Sequence, residues 1–160
     1  MKNKEFHLAD AIGVIEEVLA SGGEFNMFPK GTSMLPLIVQ GRDSIVLKRD
    51  FVNIAKKHDI AFYRRENGQF VLHRVMKKCA DGTFVMCGDN QTVLEKNIPK
   101  SAVIGVVSAI VRNGKNVKLD GFAYSAYVFI WTKMFIRKPI KLFVRACRKL
   151  FSIICGAFSK

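Results

Sequence analysis

The stretch IAFYRRENGQFVLHRVMKKCADGTFVMC, residues 60–87, holds three short runs rich in β-branched and aromatic residues: Ile60–Arg64, Phe70–Met76 and Thr83–Cys87. Glu66-Asn67-Gly68 and Ala80-Asp81-Gly82 separate them. Asn-Gly and Asp-Gly pairs accept the positive φ of tight hairpin turns, so the three runs are expected to form an antiparallel meander. Outward from the meander, Phe25–Pro29, Ser44–Lys48 and Ile104–Arg112 read as further strands. Gly41-Arg42-Asp43, Gly88-Asp89-Asn90 and Asn113-Gly114 punctuate them. Short strands at regular spacing predict a mainly β (α+β) fold, a coiled and partly closed β-sheet with few helices.

Two segments flank this core. Ahead of it, Leu8 to Leu19 carries Leu8, Ala11, Ile12, Ile15, Val18 and Leu19 on one stripe and Asp10, Glu16 and Glu17 elsewhere. That spacing predicts an amphipathic helix, which Ser21-Gly22-Gly23 ends. The expected organisation is an N-terminal helix over 1–23, a β core over 24–120 and a tail over 121–160. A chain of 160 residues is long enough to bury a core of its own.

The charge is unevenly placed. The chain has 26 basic and 13 acidic residues, a net charge of +13. Lys133, Arg137, Lys138, Lys141, Arg145, Arg148, Lys149 and Lys160 follow Gly121, and no acid does. Ile136, Ile140, Phe143, Cys147, Leu150, Phe151, Ile154 and Phe158 recur there at spacings of three or four. An apolar stripe backed by lysine and arginine suits the plane of an anionic membrane, and that surface is the partner expected for residues 121–160. Nucleic acid is not expected as a partner, because the aromatic residues lie on the apolar face rather than among the basic ones. Phe122–Phe135 is too short to span a bilayer, and no run of 18 uncharged apolar residues occurs. The opening residues do not read as a cleavable leader, since Glu5, His7 and Asp10 interrupt them. Cys79, Cys87, Cys147 and Cys155 show no metal-like spacing, so no metal or other cofactor is implied.

One turn is unusual: Lys30-Gly31-Thr32-Ser33-Met34-Leu35-Pro36. Gly31 frees the backbone for a sharp approach and Pro36 fixes the chain as it leaves. Such a turn presents a hydroxyl and neighbouring backbone N–H groups to a substrate carbonyl, but a serine needs a positioned base. Downstream stand His58-Asp59-Ile60-Ala61-Phe62-Tyr63, then Val71-Leu72-His73-Arg74-Val75, then Gly88-Asp89-Asn90-Gln91, and last Ile104-Gly105-Val106-Val107.

In that order these segments resemble the boxes of the type I signal peptidases and their LexA-like relatives. Gly31-x-Ser33-Met34-x-Pro36 is similar to the nucleophile box. The second pair resembles the "GDIVxF … HRV" strands and Gly88-Asp89-Asn90 the "GDN" turn. The resemblance covers roughly Phe25–Arg112 and implies a serine endopeptidase with Ser33 as nucleophile. Bacterial relatives place a lysine where this chain has His73, so the resemblance is to the archaeal and endoplasmic-reticulum type, with His73 as base. An imidazole titrates near neutrality without the desolvation a lysine needs, but it requires an orienting acid. Asp89 in the turn is one candidate, and Glu95, at the offset where that type carries an acid, is the other. Gly31 stands where some relatives use a serine, so the oxyanion donors are expected to be backbone amides, that of Ser33 among them. His58 occupies the usual glycine of its box and reads as a turn residue; His7 reads as a surface residue.

The implied activity is cleavage of signal or leader peptides from precursor proteins through a Ser-His acyl-enzyme. The partner is then an extended peptide segment, pairing with strand edges near Phe25–Pro29 and Ile60–Arg64, with small residues before the scissile bond. LexA-like self-cleavage is not expected, because no helix-turn-helix precedes the core and the base is not lysine. Positive charge beside apolar segments favours the inner membrane face, so the enzyme is expected to be membrane-associated with its core on the cytoplasmic side. The alternative is a catalytically silent peptide-binding module of the same fold, tethered by its basic tail.

Overall fold

A computed structural model of the chain describes residues 8–50, 54–133, 135–140, 142–143 and 146–147. The chain divides into two compact units, Met1–Leu119 and Asp120–Lys160. The first opens with helix α1 (Leu8–Ala20) and continues through β1 (Phe25–Met27), β2 (Asp43–Lys48), β3 (Ile60–Arg64), β4 (Phe70–Lys78), β5 (Phe84–Cys87), β6 (Glu95–Ile98), β7 (Val103–Arg112) and β8 (Lys115–Val117). The strands form one antiparallel sheet in the order β1-β2-β7-β3-β4-β5-β6, with β8 paired to β7. The unit is therefore mainly β with few helices. Register shifts interrupt the ladder between Val46 and Leu47, Phe62 and Tyr63, Val75 and Lys77, and Phe84 and Met86. Each such irregularity bends a strand and increases its twist, which is how a single sheet acquires two enclosed faces.

Both expected hairpins are present. Arg64 pairs with Phe70 across the Asn67-Gly68 turn, and Lys78 with Phe84 across Asp81-Gly82. The meander continues into β6, and β7 turns into β8 through Asn113 and Gly114, both at positive φ. A two-residue loop of that conformation matches the twist of the strands it joins. β6 and β8 were not among the expected strands: β6 is EKNI, with its two middle residues exposed, and β8 is only three residues long.

β3 lies between β4 and β7, and its alternating side chains feed two cores. Ile60 and Phe62 join Met34, Ile45, Leu47 and, from α1, Ile15 and Leu19. Ala61 and Tyr63 join Val75, Phe84, Met86 and Val103 on the other face. Burying an aliphatic or aromatic side chain of this size stabilises by roughly 1.5–3 kcal/mol, so α1 is a full contributor to the domain. Its seat on the sheet depends on Gly105, where a Cβ would come within 3.0 Å of both the Leu19 side chain and the Lys48 carbonyl. One expectation is corrected by this arrangement. A substrate cannot pair with Ile60–Arg64, because both edges of β3 are occupied by neighbouring strands. β1, at one end of the sheet, pairs with β2 alone.

Where β2 begins and β7 ends, Asp43 is fully buried. Its carboxylate accepts from the Val39 amide and from the guanidinium groups of Arg42 and Arg112. Burial opposes its charge, but these donors outweigh burial and hold the carboxyl well below the usual carboxylate range.

The second unit carries α2 (Gly121–Thr132) and helical backbone over 135–140, 142–143 and 146–147. Tyr124, Tyr127 and Trp131 stack in series along α2. Phe122, Phe129, Phe135, Leu142 and Phe143 are exposed. Among the described residues no helix is long and apolar enough to cross a membrane. The expected periodicity from Leu150 to Phe158 lies outside the described residues, as do Lys141, Arg145, Arg148, Lys149 and Lys160.

Asp43→Ala is expected to destabilise the first unit by about 2 kcal/mol, because it leaves the Val39 amide without its acceptor and removes the carboxylate from two guanidinium groups. A lowered midpoint of denaturant unfolding at unchanged m-value checks this.

Candidate functional site

His73 sits in the middle of β4, opposite Ala61 of β3. Antiparallel partners share a face, so His73 projects on the same side as Ala61 and Tyr63. Arg74, next in sequence, projects to the opposite side. Both residues are fully buried, and each has its own acid.

Arg74 takes Asp89. Its Nε and Nη2 donate to the two carboxylate oxygens at 2.9 and 2.7 Å, and Nη1 donates to the His58 carbonyl at 2.9 Å. His73 takes Glu95, whose Oε1 lies 3.0 Å from Nδ1. The order in which the sequence suggested the two acids is thus reversed: Asp89 is engaged by Arg74 through both oxygens, and Glu95 faces the imidazole. The reason is strand alternation, which sends two adjacent side chains of β4 to different neighbours.

A tyrosine completes the contact. The Tyr63 hydroxyl donates to Glu95 Oε2 at 2.8 Å and lies 3.1 Å from His73 Nδ1. Arg65 grips the same carboxylate, Nε to Oε2 at 2.8 Å and Nη2 to Oε1. With its only proton given to Glu95, the tyrosine oxygen has only lone pairs to offer Nδ1. Nδ1 therefore faces two acceptors, which assigns the imidazole proton to Nδ1 and leaves Nε2 bare. Nε2 is buried and, among the described residues, has no hydrogen-bond partner.

The charges follow from these contacts. Burial is the largest influence on His73 and lowers its pKa to about 4, against the attraction of Glu95. The imidazole is neutral at pH 7. Burial also opposes the charge of Glu95, but hydrogen bonds from Arg65 and Tyr63 prevail and its pKa is lowered. Tyr63 is pushed up by burial and by the carboxylate it serves. The result is an ionised carboxylate against Nδ1–H and an unprotonated Nε2.

On the Nε2 side lies the Gly88-Asp89-Asn90 turn. A Cβ on Gly88 would come within 2.7 Å of the Ser33 carbonyl oxygen and 3.1 Å of His73 Nε2 and Cδ2. One missing side chain thus leaves the Ser33 backbone and the bare nitrogen facing each other across a single glycine. Asn90 fixes the approach: its amide donates to the Ser33 carbonyl at 2.6 Å and its Nδ2 to the Thr32 carbonyl at 3.0 Å. Gly31, at a φ of +99°, donates its N–H to Gln40 Oε1. The Leu35–Pro36 peptide is cis. Among the described residues the Ser33 N–H has no protein acceptor. Ser33, partly exposed, lines a cleft of about 90 Å³ with Pro29, Gly31, Met34, Val71 and Leu72.

All four expected residues are therefore placed. His73 and Glu95 touch, the Ser33 turn abuts the imidazole through Gly88, and Asp89 braces Arg74 at the back of the same turn. His58, in a glycine's position, adopts a φ of +78° and spends its carbonyl on Arg74. Tyr63 and Arg65 were missed by sequence reasoning. Counting across the Asn67-Gly68 hairpin would have found the tyrosine, since it puts Tyr63 two residues from the partner of His73 on one face. Chemically, a neutral imidazole with a carboxylate on one nitrogen and a serine-bearing turn beside the other is equipped to take a proton from a hydroxyl.

Comparison with known proteins finds no matching family model, curated protein or solved structure.

Gly88→Ala is expected to destabilise by about 1–3 kcal/mol, because its methyl group must displace backbone rather than a flexible side chain. Thermal unfolding, with NMR shifts of Ser33 and His73 as the largest changes, checks this.

Proposed function

We propose that this chain is a serine endopeptidase of the histidine-base signal-peptidase kind, cleaving signal or leader peptides from precursor proteins. The observation that carries the reading is the pairing of Glu95 with His73 Nδ1 while Nε2, buried and unpartnered, abuts the turn of Ser33. A buried polar atom without a partner is costly, and a catalytic role is one reason for its retention. The specific peptidase fold belongs to the same proposal, supported by the order of the motif boxes along an antiparallel sheet.

In this mechanism Ser33 Oγ attacks the scissile carbonyl carbon while its proton passes to His73 Nε2. The imidazolium is stabilised by Glu95 across Nδ1 and gives that proton to the departing amine. The C-terminal fragment leaves, and the N-terminal fragment remains as an ester on Ser33. A water deprotonated by the same nitrogen then hydrolyses the ester. The Ser33 amide, lacking an internal acceptor, is the natural donor to the developing oxyanion. The cleft beside Ser33, about 90 Å³, is small beside ligand pockets of roughly 300–1,000 Å³, which supports a small side chain before the scissile bond. An extended substrate enters along the Pro29–Gly31 segment opposite Val71 and Leu72, which line that cleft.

For the second unit the proposal is attachment to an anionic membrane surface, with the core on the cytoplasmic side. Its support is the exposed Phe122, Phe129 and Phe135 together with residues 121–160, whose charges are all basic.

Hydrolysis of a peptide panel by wild type, Ser33→Ala and His73→Ala proteins tests the chemistry. Loss of at least about 10³-fold in both variants is expected, and equal turnover by all three would leave the silent peptide-binding module as the better reading. Because the folded pKa of His73 is lowered, kcat/KM should hold from neutrality down to about pH 5 and fall only as the pH approaches 4. An acid limb at the ordinary histidine value contradicts the buried neutral base. Co-sedimentation with anionic vesicles, with and without residues 121–160, tests attachment; binding is expected to be lost on truncation.

A further inference from the structure

The catalytic reading uses one face of Glu95. Its remaining contacts form a second layer with no part in the proton transfer itself. Tyr63 Oη bridges Oε2 and His73 Nδ1, and Arg65 holds both carboxylate oxygens. We infer that Tyr63 is a positioning residue for the imidazole and that Arg65 is its counterpart for the carboxylate. Together they set the tautomer and ring orientation that the Ser33 reaction needs. The inference rests on the proposed peptidase activity.

Three observations carry it. First, among the described residues the ring is hydrogen-bonded on the Nδ1 side only, since its far nitrogen has no hydrogen-bond partner. Glu95 by itself is a weak tether, because it stands on β6, which holds the sheet through two residue pairs, Phe84–Ile98 and Met86–Glu95. Second, Tyr63 is supplied by a different and central strand, β3, and its ring is fully buried in the second core. Its hydroxyl is therefore placed by β3 rather than by β6. Third, Arg65 follows the same strand directly, and its guanidinium is further fixed by Gln69 Oε1 at 2.8 Å. The carboxylate is gripped from β3 and its hairpin, the element that also neighbours His73. The acid comes from the periphery, while the residues that aim it come from the sheet interior.

Tyr63 also supports the proton's place and the charge of Glu95. Without the hydroxyl, Nδ1 faces one carboxylate oxygen instead of two acceptors, and Glu95 loses a donor to its charged form. The carboxylate then protonates at a higher pH, and a protonated Glu95 no longer supports the imidazolium.

The test uses the full-length chain and a quenched peptide with alanine before the scissile bond, chosen from those the wild type cleaves. Tyr63→Phe keeps the buried ring and removes only the hydroxyl. The expected result is a fall in kcat of about tenfold with KM within about twofold, and an acid limb of kcat/KM displaced to higher pH. The Nδ1–H proton resonance of His73 should broaden or shift. A rate, acid limb and resonance unchanged from wild type overturn the inference. Arg65→Lys and Arg65→Gln provide a second arm at a partly exposed position, independent of core packing should Tyr63→Phe unfold. Partial retention of rate by lysine and a larger loss with glutamine support the clamp, and full activity of both overturns it. Ser33→Ala separates the two claims. If it stays active, the peptidase reading falls and this inference with it. If it is inactive while the Tyr63 and Arg65 variants match wild type, only this inference falls.

Discussion

Everything at the site depends on a side chain that is absent. Gly88 stands where any Cβ would meet the Ser33 carbonyl at 2.7 Å and the His73 ring at 3.1 Å. Because that space is open, the serine loop and the Gly88-Asp89-Asn90 turn close on each other, and Asn90 ties them with two hydrogen bonds. The three residues of the turn therefore divide one task. Gly88 permits the approach, Asp89 secures the turn to the sheet through Arg74, and Asn90 holds the serine loop.

Three carboxylates follow one rule: each is met by more than one hydrogen bond. Asp43 is served by two arginines and an amide, Asp89 by a bidentate guanidinium, Glu95 by an arginine and a tyrosine. Burying an ion pair costs desolvation that only good geometry and extra hydrogen bonds offset. The exception is His73, which avoids the cost by remaining neutral and leaves one nitrogen bare. That nitrogen and the Ser33 amide are two groups the site leaves open among the described residues.

The fold was legible where local chemistry is strong. Asn67-Gly68 and Asp81-Gly82 fixed two hairpins, and the period of Leu8–Leu19 gave α1, because turn conformation and helical amphipathicity depend on neighbours in sequence. β6 was not legible, since an edge strand reading Glu-Lys-Asn-Ile carries no apolar alternation and is recruited by its sheet partner rather than by its own propensity. The same limit governs the site. Ser33 and His73 stood out through the boxes that carry them. The choice between Asp89 and Glu95 depends on which face of β4 each neighbour reaches, and that is a property of the assembled sheet. Tyr63 and Arg65 were hidden in a run that reads simply as strand and turn.

The position of Glu95 gives the site a stability of its own. It opens the last strand of the sheet, and terminal strands with few pairings detach at lower free energy than the domain unfolds. Such a local opening carries the acid away from the imidazole and uncovers Ile98, while the buried residues of both cores stand on other elements. The proportion of molecules with an assembled constellation is therefore governed by the fraying of one short strand rather than by the melting of the fold. Under the proposed function, chemical competence and global foldedness are then two separate equilibria.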